Sequence, residues 1–202
     1  MVKYKLLDMK KVLFGYGGHA REVMSQIGQK MDCYVDDKYV NEYTLPISKF
    51  DPNKCEIMIA VSEPKDREEI VKKLPKETKY FTFIHPTALI MDNNIEIGEG
   101  SFIGAYSILT TNIKLGKHTL LNRGNHVGHD TVSGDYLSMM PGAIISGNVT
   151  IGDRIYMGNN SSIREKIKIC DDVTIGMNGC VVKNINEKGT YVGVPAKSIK
   201  NG

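Results

Sequence analysis

The chain has 202 residues, of which 41% are hydrophobic and 24% charged, and a formal net charge of +3 at pH 7. That is apolar material for one large or two small domains, with too little positive charge to argue for nucleic acid or a membrane surface. No apolar run approaches the roughly 20 residues of a membrane span. No apolar N-terminal stretch precedes a small-residue cleavage site, and Cys33, Cys55, Cys170 and Cys180 lack the spacing of a zinc knuckle or redox pair. The expectation is a cytoplasmic protein with reduced thiols.

Lys11-Val12-Leu13-Phe14 reads as a short strand ending in Gly15-Tyr16-Gly17-Gly18-His19-Ala20-Arg21-Glu22, after which Val23, Met24 and Ile27 follow at helical spacing. Such a turn lets backbone N–H groups approach a ligand, and the helix N-terminus favours a phosphate. The spacing is not the full dinucleotide fingerprint. A second strand, Met31–Val35, ends in Asp36-Asp37, where an acidic residue takes a ribose hydroxyl. Leu45-Pro46-Ile47 reads as a turn. Glu56–Val61 reads as a buried parallel strand followed by Ser62. Lys65–Leu74 reads as an amphipathic helix whose charges form a solvated face. Tyr80–Ile84 reads as a last strand before His85-Pro86 opens the next part. Residues 1–84 are expected to form a small α/β domain with a parallel sheet.

From Met91 to Asn186 the chain counts in sixes. An aliphatic column runs Met91, Ile97, Ile103, Leu109, Leu115, Leu121, Val127, Ser133, Met139, Ile145, Ile151, Met157, Ile163, Ile169, Ile175, Val181, broken only by Ser133. Glycine often follows it (Gly98, Gly104, Gly116, Gly128, Gly134, Gly152, Gly158, Gly176), and a second column of small or apolar residues lies four residues on. No helix has this period; it is the signature of a parallel β-helix, in which each coil buries its apolar face only against its neighbours. The aliphatic side chain points inward, and the glycine is expected to turn the corner where a Cβ would clash. Polar residues cluster between Asn122 and Asp135, around His126-Val127-Gly128-His129-Asp130. Arg164-Glu165-Lys166 breaks the small-residue corner, and Tyr191–Lys197 is expected to pack back on the end of the solenoid.

The repeat resembles the hexapeptide-repeat acyltransferases, whose prism has three hexads per coil and winds left-handed. Three segments together, Gly15–Glu22, Val127-Gly128-His129-Asp130 and Gly193-Val194-Pro195-Ala196-Lys197, resemble the nucleotide-sugar acetyltransferases. Those enzymes include the bacillosamine- and perosamine-pathway N-acetyltransferases and the sialic-acid O-acetyltransferase-like proteins. The resemblance covers nearly the whole chain. It implies a Rossmann-like N-terminal domain that holds a nucleotide-linked amino sugar, followed by a left-handed β-helix over residues 85–202. It also implies a homotrimer, with acetyl-CoA as co-substrate in the groove between subunits, and no metal. By position, Gly17, Gly18 and His19 meet the diphosphate, Asp36 and Asp37 meet the uracil or ribose, and Ser62 lies at the third strand end. The resemblance also implies that His129 is the general base and that Asp130 orients it, and that Ser138, Asn159, Gly176 and Met177 touch acetyl-CoA.

That assignment is chemically coherent. A neutral imidazole can take the proton from an amine attacking a thioester, and a carboxylate on the other ring nitrogen fixes the tautomer. Adjacent strand residues point to opposite faces, so direct contact of His129 with Asp130 needs a corner conformation; otherwise Asp130 acts through its neighbourhood or across subunits. Gly147, one coil past His129, is the candidate N–H donor to the oxyanion. No residue has the setting of an acyl-carrying nucleophile, so direct transfer is expected. His118 and His126 read as structural or peripheral. Three other readings remain: a hydroxyl acceptor, a non-enzymatic scaffold, and a zinc site of carbonic-anhydrase type from His118, His126 and His129. The differing hexad phases of these histidines oppose the last.

Overall fold

The structure, a computed structural model, describes residues 9–199. It opens with strand β1 (Lys10–Phe14), helix α1 (Gly18–Ile27), strands β2 (Cys33–Val35), β3 (Leu45–Pro46) and β4 (Cys55–Ile59), helix α2 (Pro64–Lys73) and strand β5 (Lys79–Tyr80). The five strands form one parallel sheet in the order β3-β2-β1-β4-β5. Its central strands are apolar on both faces, as a covered parallel sheet requires. Val12, Phe14, Ile57 and Ile59 pack with Ile70, Val71 and Leu74 of the α2 layer. Leu13, Met58 and Ala60 pack the other way, against Ala20 and Val23 of α1. The segment Leu45–Pro46, read from sequence as a turn, is an edge strand, a place where the missing proline N–H costs no ladder bond.

The expected strand Tyr80–Ile84 is two strands. Lys79–Tyr80 closes the α/β sheet, whereas Phe83–Ile84 already pairs with Phe102–Ile103 of the solenoid. From there the chain builds a parallel β-helix with three faces. The first face stacks strands such as Phe102–Ile103, Leu120–Leu121, Ser138–Met139 and Tyr156–Met157. The second stacks Ile108–Leu109, His126–Val127, Ile144–Ile145 and Ser162–Ile163. The third stacks Ile113–Leu115, Val132–Ser133 and Thr150–Ile151. Partners are eighteen residues apart, as in Leu120↔Ser138 and His126↔Ile144. The aliphatic column from Ile103 to Val181 is buried in one continuous core, with Ser133 also buried. The first coil departs from it. Ile90, not Met91, stands opposite Leu109, and Met91 is 66% exposed. The loop before Ile95 carries one extra residue.

The corners turn at a different position from the one expected. From Ile97 to Ile175 the residue three past the inward position has positive φ, and it is usually not glycine: Asn112 (52°), His118 (54°), Asp130 (58°), Asn148 (59°) and Asp172 (60°) are examples. The repeated glycines serve coil spacing. A Cβ on Gly128 would lie 2.6 Å from the Gly147 nitrogen, and one on Gly158 would lie 2.7 Å from the Met177 nitrogen. The tail ends the solenoid as expected, with Gly189–Val192 parallel to Val173–Ile175 and Lys197–Ile199 antiparallel to it.

The α/β layer covers the first face. Phe102 joins the α1-side core, and α1 reaches the solenoid through Gln26 Oε1, which accepts from the Ala105 nitrogen at 2.8 Å. Among the described residues, no element covers the second face. Its outward residues include Leu89 (56% exposed) and Ile144 (42% exposed), with His126 between their coils.

Candidate active site

His129 and Asp130 sit at the corner after the second-face strand His126–Val127. The left-handed turn at Asp130 brings adjacent side chains together, and His129 Nδ1 lies 2.7 Å from Asp130 Oδ2. The contact is direct and within one chain. The hydrogen bond pulls the Asp130 carboxyl below its usual range, with a second bond, from Asn112, adding to the effect. With Nδ1–H donating to Asp130, Nε2 carries the free lone pair. Both side chains are roughly half exposed, so the imidazole opens outward from the corner.

Gly147 lies directly above the ring. A Cβ there would run into Nε2 and would stand 2.7 Å from Cε1. The Gly147 carbonyl accepts from the Lys166 nitrogen at 3.1 Å, while among the described residues its N–H has no hydrogen-bond partner. On the third corner three equivalent N–H groups are used: Lys117, Asp135 and Asp153 donate to the carboxylates of Asp135, Asp153 and Asp171 at 2.7, 2.8 and 2.9 Å. A free donor beside a free imidazole nitrogen is the pairing acyl transfer needs.

The expected polar patch Asn122–Asp135 does not exist as a patch, because its members fall on three corners. Asn125 is fully buried and donates to the Met140 carbonyl at 2.7 Å. Asn122 donates to Glu22 Oε2 at 3.3 Å, and Arg123 pairs with Glu22. Both tie the first corner to itself or to α1. His118 is buried, stacked on Tyr136 (5.3 Å between centroids) and edge-on to Tyr80 (4.6 Å). His126 is exposed on the second face. The three histidines do not converge. Among the described residues no group of three or more His, Cys, Asp or Glu side chains is placed to hold a metal.

The residues expected to bind the sugar nucleotide gather at the C-terminal edge of the parallel sheet, the usual ligand edge of such sheets. Gly15, with φ of 109°, makes the turn itself. Gly17 and Gly18 face open space, with nothing within 4 Å of a Cβ built on either. His19 lies 3.9 Å from Glu22; burial pushes its pKa down to about 4, and its Nε2 is buried without a partner. Asp36 borders a recess with Ile47, Lys73 and Leu74. Asp37 accepts from the Ser48 nitrogen at 3.1 Å, which commits one of its oxygens to the loop. Ser62 follows β4, and its carbonyl is taken by Ser138 Oγ (2.7 Å) and Arg67 (3.2 Å).

That last contact corrects the expectation for Ser138. It is fully buried under the α/β layer, and its hydroxyl also accepts from Arg67 Nη2 at 2.9 Å. It cannot line an open cofactor groove. Asn159 and Met177 are exposed at the first corner, and Gly176, next to Met177, packs against Val192 of the tail. His129 and Gly147 are on the second corner. The two sets flank the uncovered second face and do not meet within one chain.

Sequence reasoning missed Arg67 and Asn112. Arg67, read as part of a solvated face, is 1% exposed and donates to the carbonyls of Val61 (2.7 Å), His118 (3.0 Å) and Tyr136 (3.0 Å). The signal was present: with Pro64, Ile70, Val71 and Leu74 it occupies the apolar stripe of α2. Asn112 could be found by stepping one coil back from Asp130.

No family model matches the chain. Over 157 residues it is 29% identical to the GDP-perosamine N-acetyltransferase of Escherichia coli O157:H7, covering 69% of this chain and 71% of that protein. WeeI from Acinetobacter baumannii AYE is 29% identical, with a TM-score of 0.84 over 95% of this chain and 100% of that one. The acetyltransferase domain of PglB from Neisseria gonorrhoeae FA1090, solved in complex with acetyl coenzyme A, is 25% identical, with a TM-score of 0.81 over 94% and 98%.

Proposed function

We propose that the chain is a hexapeptide-repeat nucleotide-sugar acetyltransferase, like the proteins it resembles, and that it transfers the acetyl group of acetyl-CoA to the amino group of a nucleotide-linked 4-amino-deoxy sugar. The observation that carries the proposal is His129, with Nδ1 on Asp130 and Nε2 free beside the unused Gly147 N–H. His129 takes the proton from the attacking amine as the new C–N bond forms. Asp130 stabilises the imidazolium. The Gly147 N–H faces the oxyanion, which then collapses to expel the thiolate of CoA. Transfer is direct, and much of the rate comes from holding two substrates together.

The α/β part is read as a Rossmann-like sugar-nucleotide domain, and the coil as left-handed. The open space over Gly17 and Gly18 and the orphaned His19 Nε2 support placing the diphosphate there. Asp36 is kept as the ribose or base contact, with Asp37 behind it. Asn159, Gly176 and Met177 are assigned to acetyl-CoA across a subunit boundary. The uncovered apolar face between their corner and that of His129 supports a homotrimer whose sites lie between chains. The four unpaired cysteines fit the cytoplasm.

The test is free-thiol release from acetyl-CoA with UDP-, dTDP- and GDP-linked 4-amino sugars. Release with one of them establishes N-acetylation and names the nucleotide. Release only with hydroxyl acceptors replaces the proposal with O-acetylation, and silence throughout removes it.

A further inference from the structure

The Asp130 carboxylate has two oxygens, and His129 uses one. The other, Oδ1, accepts from Asn112 Nδ2 at 2.6 Å. Asn112 and Asp130 occupy the same corner position one coil apart, with φ of 52° and 58°, and the Asp130 nitrogen donates to the neighbouring Thr111 carbonyl at 3.2 Å. A continuous chain therefore runs Asn112–Asp130–His129, and Gly147 backs the ring from the coil above. We propose that Asn112 is a positioning residue that acts on His129 through Asp130. This rests on the reading of His129 as the general base.

The physical case is rotamer control. Asp130 is 43% exposed, so water competes for both its oxygens and a carboxylate so placed samples several rotamers. A donor on the far oxygen locks the plane of the carboxylate, and that plane sets where Nδ1–H, and so Nε2, must point. The left-handed corner makes asparagine a fitting residue there, because its short amide tolerates this backbone. Asn148, the equivalent residue on the other side of Asp130, makes no side-chain hydrogen bond to that carboxylate among the described residues, so the far oxygen is held from Asn112 alone.

Asn112→Gly keeps a backbone suited to φ of 52° and deletes only the amide. It is expected to lower kcat on the order of tenfold, the worth of one hydrogen bond to a charged group, with KM for both substrates unchanged. The same change in an Asp130→Ala background is expected to add nothing. Asn112→Asp turns a donor into a second carboxylate. Charged neighbours of this corner are Asp92, held through Thr111, and Arg164, Glu165 and Lys166 beyond Gly147. The added charge stabilises the imidazolium, so the acid limb of the kcat/KM profile moves to higher pH. An equal loss with and without Asp130, or an unmoved limb in Asn112→Asp, overturns the proposal. Full activity in His129→Ala instead overturns the base assignment on which it stands.

Discussion

Two histidines of this chain are held neutral by burial while a third stands half in water. Burial pulls His19 and His118 down to about 4, and the nearby Arg67 cation adds to the effect. A base whose pKa falls on folding contributes stability that is complete above its unfolded value, near 6.5, and is lost as pH falls from there toward 4. The unfolding free energy is therefore expected to drop by up to about 1.4 kcal/mol per pH unit for each histidine across that window. Denaturant midpoints at pH 7 and pH 4.5 check it, and His118→Phe, which keeps the aromatic stack, is expected to flatten the slope. Gly147→Ala is expected to leave the fold intact and cut kcat sharply, because the new methyl occupies the space of the imidazole. A kcat within twofold of wild type would show that the ring is not confined there. The His129-Asp130 pair was legible in sequence because its two members are adjacent and the corner supplies their contact. Ser138 was not, because its burial is decided by a layer contributed more than sixty residues earlier.

The solenoid column was legible because every coil repeats the same inward aliphatic, so the pattern survives single lapses such as Ser133. The corners were misread for a related reason. A glycine in a repeat invites a positive-φ explanation, yet here the left-handed residues are mostly Asn, Asp, Tyr and His, and the glycines instead let adjacent coils approach. Helix α2 shows the limit of amphipathic reading. Arg67 lies on its apolar stripe and spends its guanidinium on backbone carbonyls of the solenoid. Arg67→Met fills the space but leaves those acceptors unpaired. It is expected to cost roughly 3 kcal/mol in denaturant unfolding, while exposed lysines of the same helix, such as Lys73, are expected to be replaceable within about 0.5 kcal/mol.

At the scale of the molecule, the α/β layer closes one face of the prism and a polar row that includes Glu96, Lys114 and Lys168 marks another. The remaining face carries Leu89, Ile108 and Ile144 outward. It is bounded by the corner of His129 on one side and that of Asn159 and Met177 on the other. Ile144→Glu is expected to give a folded chain that sediments as a monomer and has lost acetyl transfer. A monomer with full activity would place the whole site within one chain. Nothing in the sequence ordered the corners around the prism; the three-face winding is what sets the residues proposed for acetyl-CoA apart from His129.

The most direct measurement is kcat for His129→Ala with the amino sugar that the wild-type enzyme accepts, alongside its affinity for acetyl-CoA and its oligomeric state. A loss of roughly two to four orders of magnitude in kcat, with binding and assembly unchanged, is the expected result. A variant that binds, assembles and turns over at the wild-type rate would contradict the assignment of His129 as the base.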